Sequence, residues 1–334
     1  MLSERKAAIL RAVVEGYIST SSPVGSGHVA TSTSLSVSPA TVRNEMMALE
    51  EAGYLQQPHT SAGRIPTDKG YRYFVDSLMR PYEFERAETQ EVRAFFARAQ
   101  GELEQMLRST SSFLSELTDY AAVVVGPEPT TGVVRSVQLV GLSDRLLLAV
   151  AVLATGVVEK HSIELDHPIG DDQLLAANDL LARHVVGSTL AETGGSALPP
   201  SGDDVVDDLV GRVVAELTAL TADPGEVYLG GTGQLAGLFD AVETVREVLV
   251  VLEKQYVVVS LINDIVQRGL AVAIGAETGV QPLAECSLVV APYLVDGRPA
   301  GSIGVLGPTR MNYPQAVATV AVVSSQLSQR LTEG

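Results

Sequence analysis

Only one cysteine, Cys286, occurs in the 334 residues, so the chain can form no internal disulfide and no cysteine-based metal cluster. It lies in the apolar run ECSLVVAPYLV, which reads as a core strand carrying an inert thiol. Long hydrophobic runs are missing too. The longest, Leu146–Leu153, continues only weakly to Val158 and is too short to span a bilayer, which excludes a membrane protein. Glu4, Arg5 and Lys6 open the chain with no signal-peptide apolar core behind them, so a cytoplasmic location is expected. The sequence has no GxSxG nucleophile elbow, no Walker loop and no HExxH pair. No catalytic constellation is visible and no cofactor is expected. Cations are scarce, with 23 Lys and Arg against 40 Asp and Glu. Hydrophobic residues nonetheless make up 46 %, which excludes general disorder, and the length allows two or three domains with real cores.

The few cations are not spread evenly. Eight of them fall in residues 1–80 beside seven carboxylates, leaving 15 cations and 33 carboxylates for the remainder. Nucleic-acid affinity rests largely on phosphate contacts, so only the N-terminal part is electrostatically suited to approach DNA. The acidic remainder limits non-specific binding. Within the N-terminal part, the stretch VSPATVRNEMMALEEAGYLQQPHTSAGRIPT (Val37 to Thr67) is the most telling. Ser38 suits a helix N-cap and Pro39 the first helical position. Val42, Met46 and Leu49 recur at helical spacing on one side, and Gly53 stops the helix. Two short strands, Tyr54–Gln57 and Arg64–Thr67, follow around a polar loop.

A helix running into a hairpin is the second half of a winged helix. The outward side of this helix carries Ala40, Asn44 and Met47, flanked by Thr41 and Arg43. In a major groove an Asn can bond adenine at two positions, an Arg can fork onto guanine and an Ala can meet a thymine methyl. Ser38 joins this set at the helix start, and His59, Thr60, Ser61 and Arg64 form the expected wing, where hydroxyls and a guanidinium suit phosphates. Upstream, residues 3–18 read as a first helix and Val24–Ala30 as a short second one. Downstream, Thr67 can cap a helix that buries Tyr71, Phe74, Val75 and Leu78.

The runs SPATVRNEMMALEEAGYL and HTSAGRIPTDKGYRYFVD, with VYLGGTGQLAG and GSIGVLGPTRMNYPQAV further on, resemble the HrcA family of heat-inducible transcription repressors. The likeness covers nearly the whole chain. It implies a homodimer that binds double-stranded DNA at an inverted repeat, the CIRCE element, ahead of chaperone operons and releases it on heat stress. It also implies that the GroE chaperonin sets the active fraction. Family members share an α+β fold with an N-terminal winged helix-turn-helix and a GAF-like α/β domain interrupted by an inserted dimerising domain. Mapped onto this chain, these are residues 1–80, residues 81–168 with 263–334, and residues 169–262. One departure is local. Many relatives carry a basic residue after the serine matching Ser26, where this chain has Gly27-His28, so position 27 offers no cation for a phosphate contact from the second helix.

Beyond residue 80, a long helix is expected to about Tyr120, with Val92, Phe96, Ala99, Leu103, Met106, Thr110, Phe113 and Leu117 spaced as a heptad seam. A two-chain coiled coil is one solution. Packing within the chain is favoured, because Phe95, Leu107 and Leu114 widen the stripe. Strands Val133–Leu142, Arg145–Ala154 and Val157–Leu165 form an antiparallel meander. Helices Asp171–Val186 and Asp203–Leu220 follow, then strand Glu226–Leu229, helix Phe239–Leu252 and strand Gln255–Ile262. Strands Ala271–Ala276, Cys286–Leu294 and Gly301–Leu306 and a closing helix Tyr313–Leu331 end the chain. Sequence alone would also allow two consecutive domains.

Gly231–Gly237 matches a loose dinucleotide fingerprint, but no βαβ unit opens there, and a tight turn in the inserted domain is the better reading. His161 and His167 would point to the opposite strand face from Glu164 and Asp166, so no metal site assembles. The reading is therefore a dimeric repressor without enzymatic activity. The alternative is a winged-helix regulator gated by a small molecule in the GAF-like domain, and an oxidoreductase comes a distant third.

Overall fold

Local signals set the first 78 residues. The computed structural model describes residues 2–32, 37–60, 62–98, 102–127, 132–195, 199–219, 226–239, 241–269 and 271–333. Helix α1 (Glu4–Thr20) starts where Ser3 Oγ accepts from Lys6 N and buries Ile9, Leu10, Val13 and Val14. Helix α2 (Ser26–Ser32) contributes Val29 to the same core. Helix α3 (Pro39–Glu51) is capped by Ser38 Oγ and buries Val42, Met46 and Leu49. It ends on Gly53, with Tyr54 N donating to Leu49 O and Gly53 N to Glu50 O, both at 2.9 Å. These are the two bonds that satisfy the last carbonyls of a glycine-terminated helix. Strands β1 (Leu55–Gln56) and β2 (Ile65–Pro66) pair antiparallel, and Arg64 pairs with Val24 beside them. Helix α4 (Asp68–Tyr73), capped by Thr67, runs on as a π-turn over Phe74–Leu78.

The expected long helix is two helices. Helix α5 (Arg86–Arg98) and helix α6 (Leu103–Thr118) are separated, and Glu102 just before α6 has an extended backbone. Ala99, a member of the expected seam, lies outside the described residues. Phe95 stacks on Phe113 with ring centroids 4.1 Å apart, so the seam folds against itself within the chain. Val92, Phe96, Leu107, Phe113 and Leu114 join one core with Ala316, Val320, Val323 and Leu327 of the closing helix α13 (Tyr313–Glu333).

Strand β3 (Ala121–Val125) belongs to the main sheet, while β4 (Val134–Ser143), β5 (Leu146–Leu153) and β6 (Val158–Glu164) form a separate three-stranded meander. The meander's inner face, Leu147, Ala149, Ala151 and Leu153 of β5 among it, is covered by α7 (Asp171–His184) and α9 (Asp204–Ala219). Between those helices lies the short α8 (Leu190–Gly195). The unit inserted between β3 and the next strand of the main sheet, β7 (Val227–Gly230), thus contains the meander and α7–α9. This differs from the boundaries 169–262 read from sequence. A meander with apolar inward residues needs cover, and the helices that follow it directly supply it.

After β7 come α10 (Leu235–Leu238), α11 (Val242–Leu252), α12 (Gln255–Gln267), β8 (Val272–Ile274), β9 (Cys286–Val295) and β10 (Arg298–Pro308). The main sheet has the order β7-β3-β10-β9-β8, with all neighbours antiparallel. Alternation along each strand splits its side chains between two cores. Ala122, Val124, Val289, Ile303 and Val305 face α6 and α13, whereas Val123, Val125, Leu288 and Val290 face α11 and α12. Gln255–Ile262, expected as a strand, is therefore the start of a helix. Its β-branched run favours a strand locally, but Val258, Ile262 and Ile265 recur at helical spacing and bury against the sheet. Cys286 is fully buried in this core, and burial pushes its thiol up to about 12.

The architecture is α+β, a winged helix-turn-helix followed by a GAF-like domain that the inserted unit interrupts. The glycine run at the end of β7 has a packing role. A Cβ on Gly230 would stand 2.2 Å from the Ser111 carbonyl, and one on Gly231 would meet Ser115 Oγ. The glycines let α6 lie directly on the strand end, where Ser115 Oγ sits 2.7 Å from Gln234 Oε1. The turn edges the main sheet, not the inserted unit.

Candidate nucleic-acid interface

Burying Val42, Met46 and Leu49 fixes which side of α3 is left outward. Ala40, Arg43, Asn44 and Met47 are exposed on it, and Thr41 is half-buried at its edge. Met47 keeps 47 % of its surface in solvent, a large value for an apolar side chain on a short helix. Ser38 Oγ accepts from Thr41 N at 3.2 Å and lies 3.0 Å from Thr41 Oγ1, so these two hydroxyls serve the helix start. Among the described residues, nothing bonds the side chains of Arg43 or Asn44. A guanidinium, an amide and a thioether thus stand together on the outward side of one rigid helix. That set can address base edges and thymine methyls in a groove.

Most other cations of the winged helix are occupied. Arg5 pairs with Glu45 at 3.6 Å, Arg11 Nε donates to Leu78 O at 3.1 Å, and Lys69 Nζ donates to Ala52 O at 2.9 Å. Arg72 is held by Glu277 and Asp76. Arg43 is left as the free cation of α3 among the described residues, next to a body of strongly acidic charge. Such a surface meets DNA through few ionic contacts, and its selectivity must come from base readout and shape.

His59 and Thr60 are exposed at the wing tip, while Ser61 lies outside the described residues. Arg64 sits elsewhere than the tip. Its Nε donates to Glu50 Oε2 at 2.8 Å, and only 14 % of its side chain is exposed. In the free protein it ties the root of the wing to the end of α3. Sequence reading did not find Gln57. Its Nε2 donates to the carbonyls of Thr60 and Ala62, both at 3.0 Å, and so cross-links the loop that His59 and Thr60 occupy. An amide at the first position of a polar hairpin loop was the available signal.

The Arg64 arrangement sets an expectation for salt dependence. Arg64→Ala should weaken operator binding by releasing the wing, yet leave the slope of log K against log salt nearly unchanged, since Glu50 already neutralises that charge. The check is a titration of binding from low to moderate salt. A slope reduced by about one unit would mean that the guanidinium leaves Glu50 for a phosphate.

Among the described residues no three His, Cys, Asp or Glu side chains converge as a metal site, and no helix is long and apolar enough to cross a membrane. The family model described as HrcA protein C terminal domain matches residues 104–317. The heat-inducible transcription repressor HrcA of Symbiobacterium thermophilum is 36 % identical over 98 % of both chains. That of Nocardia farcinica is 39 % identical, covering 99 % of this chain and 97 % of its own. A crystal structure titled as a hypothetical protein is similar with a TM-score of 0.65 and 22 % identity, covering 100 % of this chain and 99 % of that one. At that identity the likeness concerns the fold alone. The repressors are regulators by name, and they match from the winged helix to the closing helix. The chain belongs to the HrcA family of heat-inducible transcription repressors.

Proposed function

We propose that the protein represses chaperone operons by binding, as a homodimer, an inverted-repeat operator of the CIRCE type, and that it leaves the operator on heat stress. The observation that carries this reading is the outward side of α3, where Arg43, Asn44 and Met47 are exposed and, among the described residues, nothing bonds the side chains of Arg43 or Asn44. In this reading Ser38, Ala40, Thr41, His59, Thr60 and Ser61 complete the contact surface, and the GroE chaperonin sets the active fraction of the repressor. An inverted repeat has a two-fold axis, and a two-fold dimer presents two recognition helices to its half-sites. In this reading the inserted unit supplies the dimer contact. On the outer face of its meander, Val140 pairs with Leu148 and Val152 with Val158, and Leu146 and Val150 lie on the same side. Val140, Leu142 and Val158 are exposed there to 41, 54 and 46 %. Gln138, Lys160 and Ser162 share this face, so its apolar side chains form a patch that a second copy of the chain would cover.

A gel shift with an inverted-repeat operator at two temperatures tests the proposal. Binding is expected at the growth temperature, with loss at the heat-shock temperature and much weaker binding of a single half-site. Equal affinity for operator and scrambled DNA would overturn it. A second reading, gating by a small molecule, is favoured by one cleft. It measures ≈ 880 Å³ and lies between the meander and α6, with Glu104, Tyr228, Arg135 and Lys160 among its lining. A thermal-shift panel of metabolites separates the two readings, because only the ligand-gated protein is stabilised by one of them.

A further inference from the structure

The winged helix is not strung on a linker. Its core residues, from Ile9 to Leu78, form one continuous cluster with Tyr313, Val320 and Leu327 of the closing helix. At the joint, α4 meets the turn after β8. Arg72 Nε donates to Glu277 Oε1 at 2.9 Å, and its Nη2 reaches both Glu277 Oε2 and the Val272 carbonyl, the latter at 2.7 Å. Glu277 is itself fixed, because its Oε2 accepts from Ile274 N at 3.0 Å. Beside it, Asp68 Oδ2 accepts from Ala276 N at 3.2 Å. The approach is so close that a Cβ on Gly275, at φ +53°, would stand 2.3 Å from that carboxylate. A forked guanidinium on an immobilised carboxylate fixes orientation as well as distance. Tyr71, next to Arg72, packs its ring 5.7 Å from that of Tyr313, and its buried hydroxyl has no hydrogen-bond partner among the described residues.

Residues 79–85 connect the winged helix to α5 without regular structure, so they alone would let the head pivot. We propose that Arg72, with Asp68 and Glu277, is the positioning group that fixes the angle of the recognition helix and so sets the half-site spacing the repressor accepts. This rests on the operator reading given above. A fixed head loses contacts at any spacing but its own, whereas a loosened head follows a displaced half-site at little cost. Removing the joint therefore flattens spacing preference more than it lowers non-specific affinity. Tyr71 acts in the other direction, since an unpartnered buried hydroxyl weakens the docked arrangement.

The test has two arms on the full-length chain. Because the natural cysteine is buried, Glu51→Cys and Ser325→Cys, both at exposed positions, accept spin labels selectively. Distances are measured in protein diluted with unlabelled chain. A single narrow distribution is expected for the parent and for Tyr71→Phe, a clearly broader one for Glu277→Ala, and an intermediate one for Glu277→Gln, which keeps the hydrogen bonds. In the second arm, competition binding compares inverted repeats whose spacers differ by a few base pairs. The preference for the natural spacing should fall by about tenfold in Glu277→Ala, the scale of a lost charge-assisted pair, and persist in Tyr71→Phe. Should Glu277→Ala fail to fold, Asp68→Asn gives the same comparison. A distribution as narrow as the parent's in Glu277→Ala overturns the inference, and so does an unchanged spacing profile. A parent that prefers no inverted repeat over a half-site indicts the operator reading instead, while the distances still judge the joint.

Discussion

Excising the inserted unit is expected to leave a folded monomer whose operator affinity drops by about 10²–10⁴-fold, the gain that linking two weak sites confers. The geometry makes the experiment clean. Gly126 N donates to Glu226 O at 2.8 Å, and Val125 stands opposite Val227 in the antiparallel pair of β3 and β7. Residues 128–225 can therefore be replaced by a short hairpin turn without moving either strand. The main sheet keeps both of its cores, since α6, α13, α11 and α12 all lie outside the excised stretch. One winged helix with a single free cation on α3 releases few counterions and binds weakly alone. Sedimentation at micromolar concentration and gel shift on the same sample give the result. A variant that stays dimeric would move the interface to the α5–α6 hairpin, where a groove of ≈ 430 Å³ is lined by Phe95, Met106 and Phe113.

Asn44→Ala is expected to cost about 1–3 kcal/mol at the cognate operator and much less on random DNA. Asn44 is exposed, and among the described residues nothing bonds its side chain, so the substitution removes no internal hydrogen bond among them, and alanine suits the helix interior. The whole effect should then appear in binding, with thermal stability unchanged. Arg43→Ala should behave alike on the operator and additionally reduce the salt slope. Competition titrations with cognate and random duplexes decide the matter. Equal losses on both DNAs would make Asn44 a backbone contact instead of a base reader.

Helix α3 was legible because each of its signals is local. Ser38, Pro39 and Gly53 lie within a single stretch, and the buried triad needs only one period. The meander was legible for the same reason, with strands joined by tight turns. What failed were the choices that distant partners make. Helix α12 carries a strand-like composition, and the sheet face formed by β9 and β10 decides its state. The break before α6 interrupts a pattern that reads as helical throughout. The extent of the inserted unit depends on which sheet β4–β6 and β7 join, and composition does not encode that. The partners of the charges are likewise distant choices: Arg64 meets Glu50 on another element in the free protein, and Arg72 meets Glu277 across 205 positions. A charge within a motif says that a partner exists, not which one.

The opened hairpin between β3 and β7 also has a bearing on how the chain acquires its fold. Pairing Val125 with Val227 closes a loop of roughly 100 residues, and closure by a disordered chain of that length is slow and entropically unfavourable. A unit that has already collapsed presents its two ends side by side and removes most of that cost. By loop-closure entropy, the insert is expected to fold first and the β7 edge to pair after it. Were β7 to detach, β3, Ala121–Val125, would lose its neighbour on one side. That strand is apolar, uncharged and buried along its whole length, the composition that seeds edge-to-edge association once uncovered. Loss of β7 would thus uncover an adhesive edge in the central sheet without touching the hydrogen bonds of the winged helix.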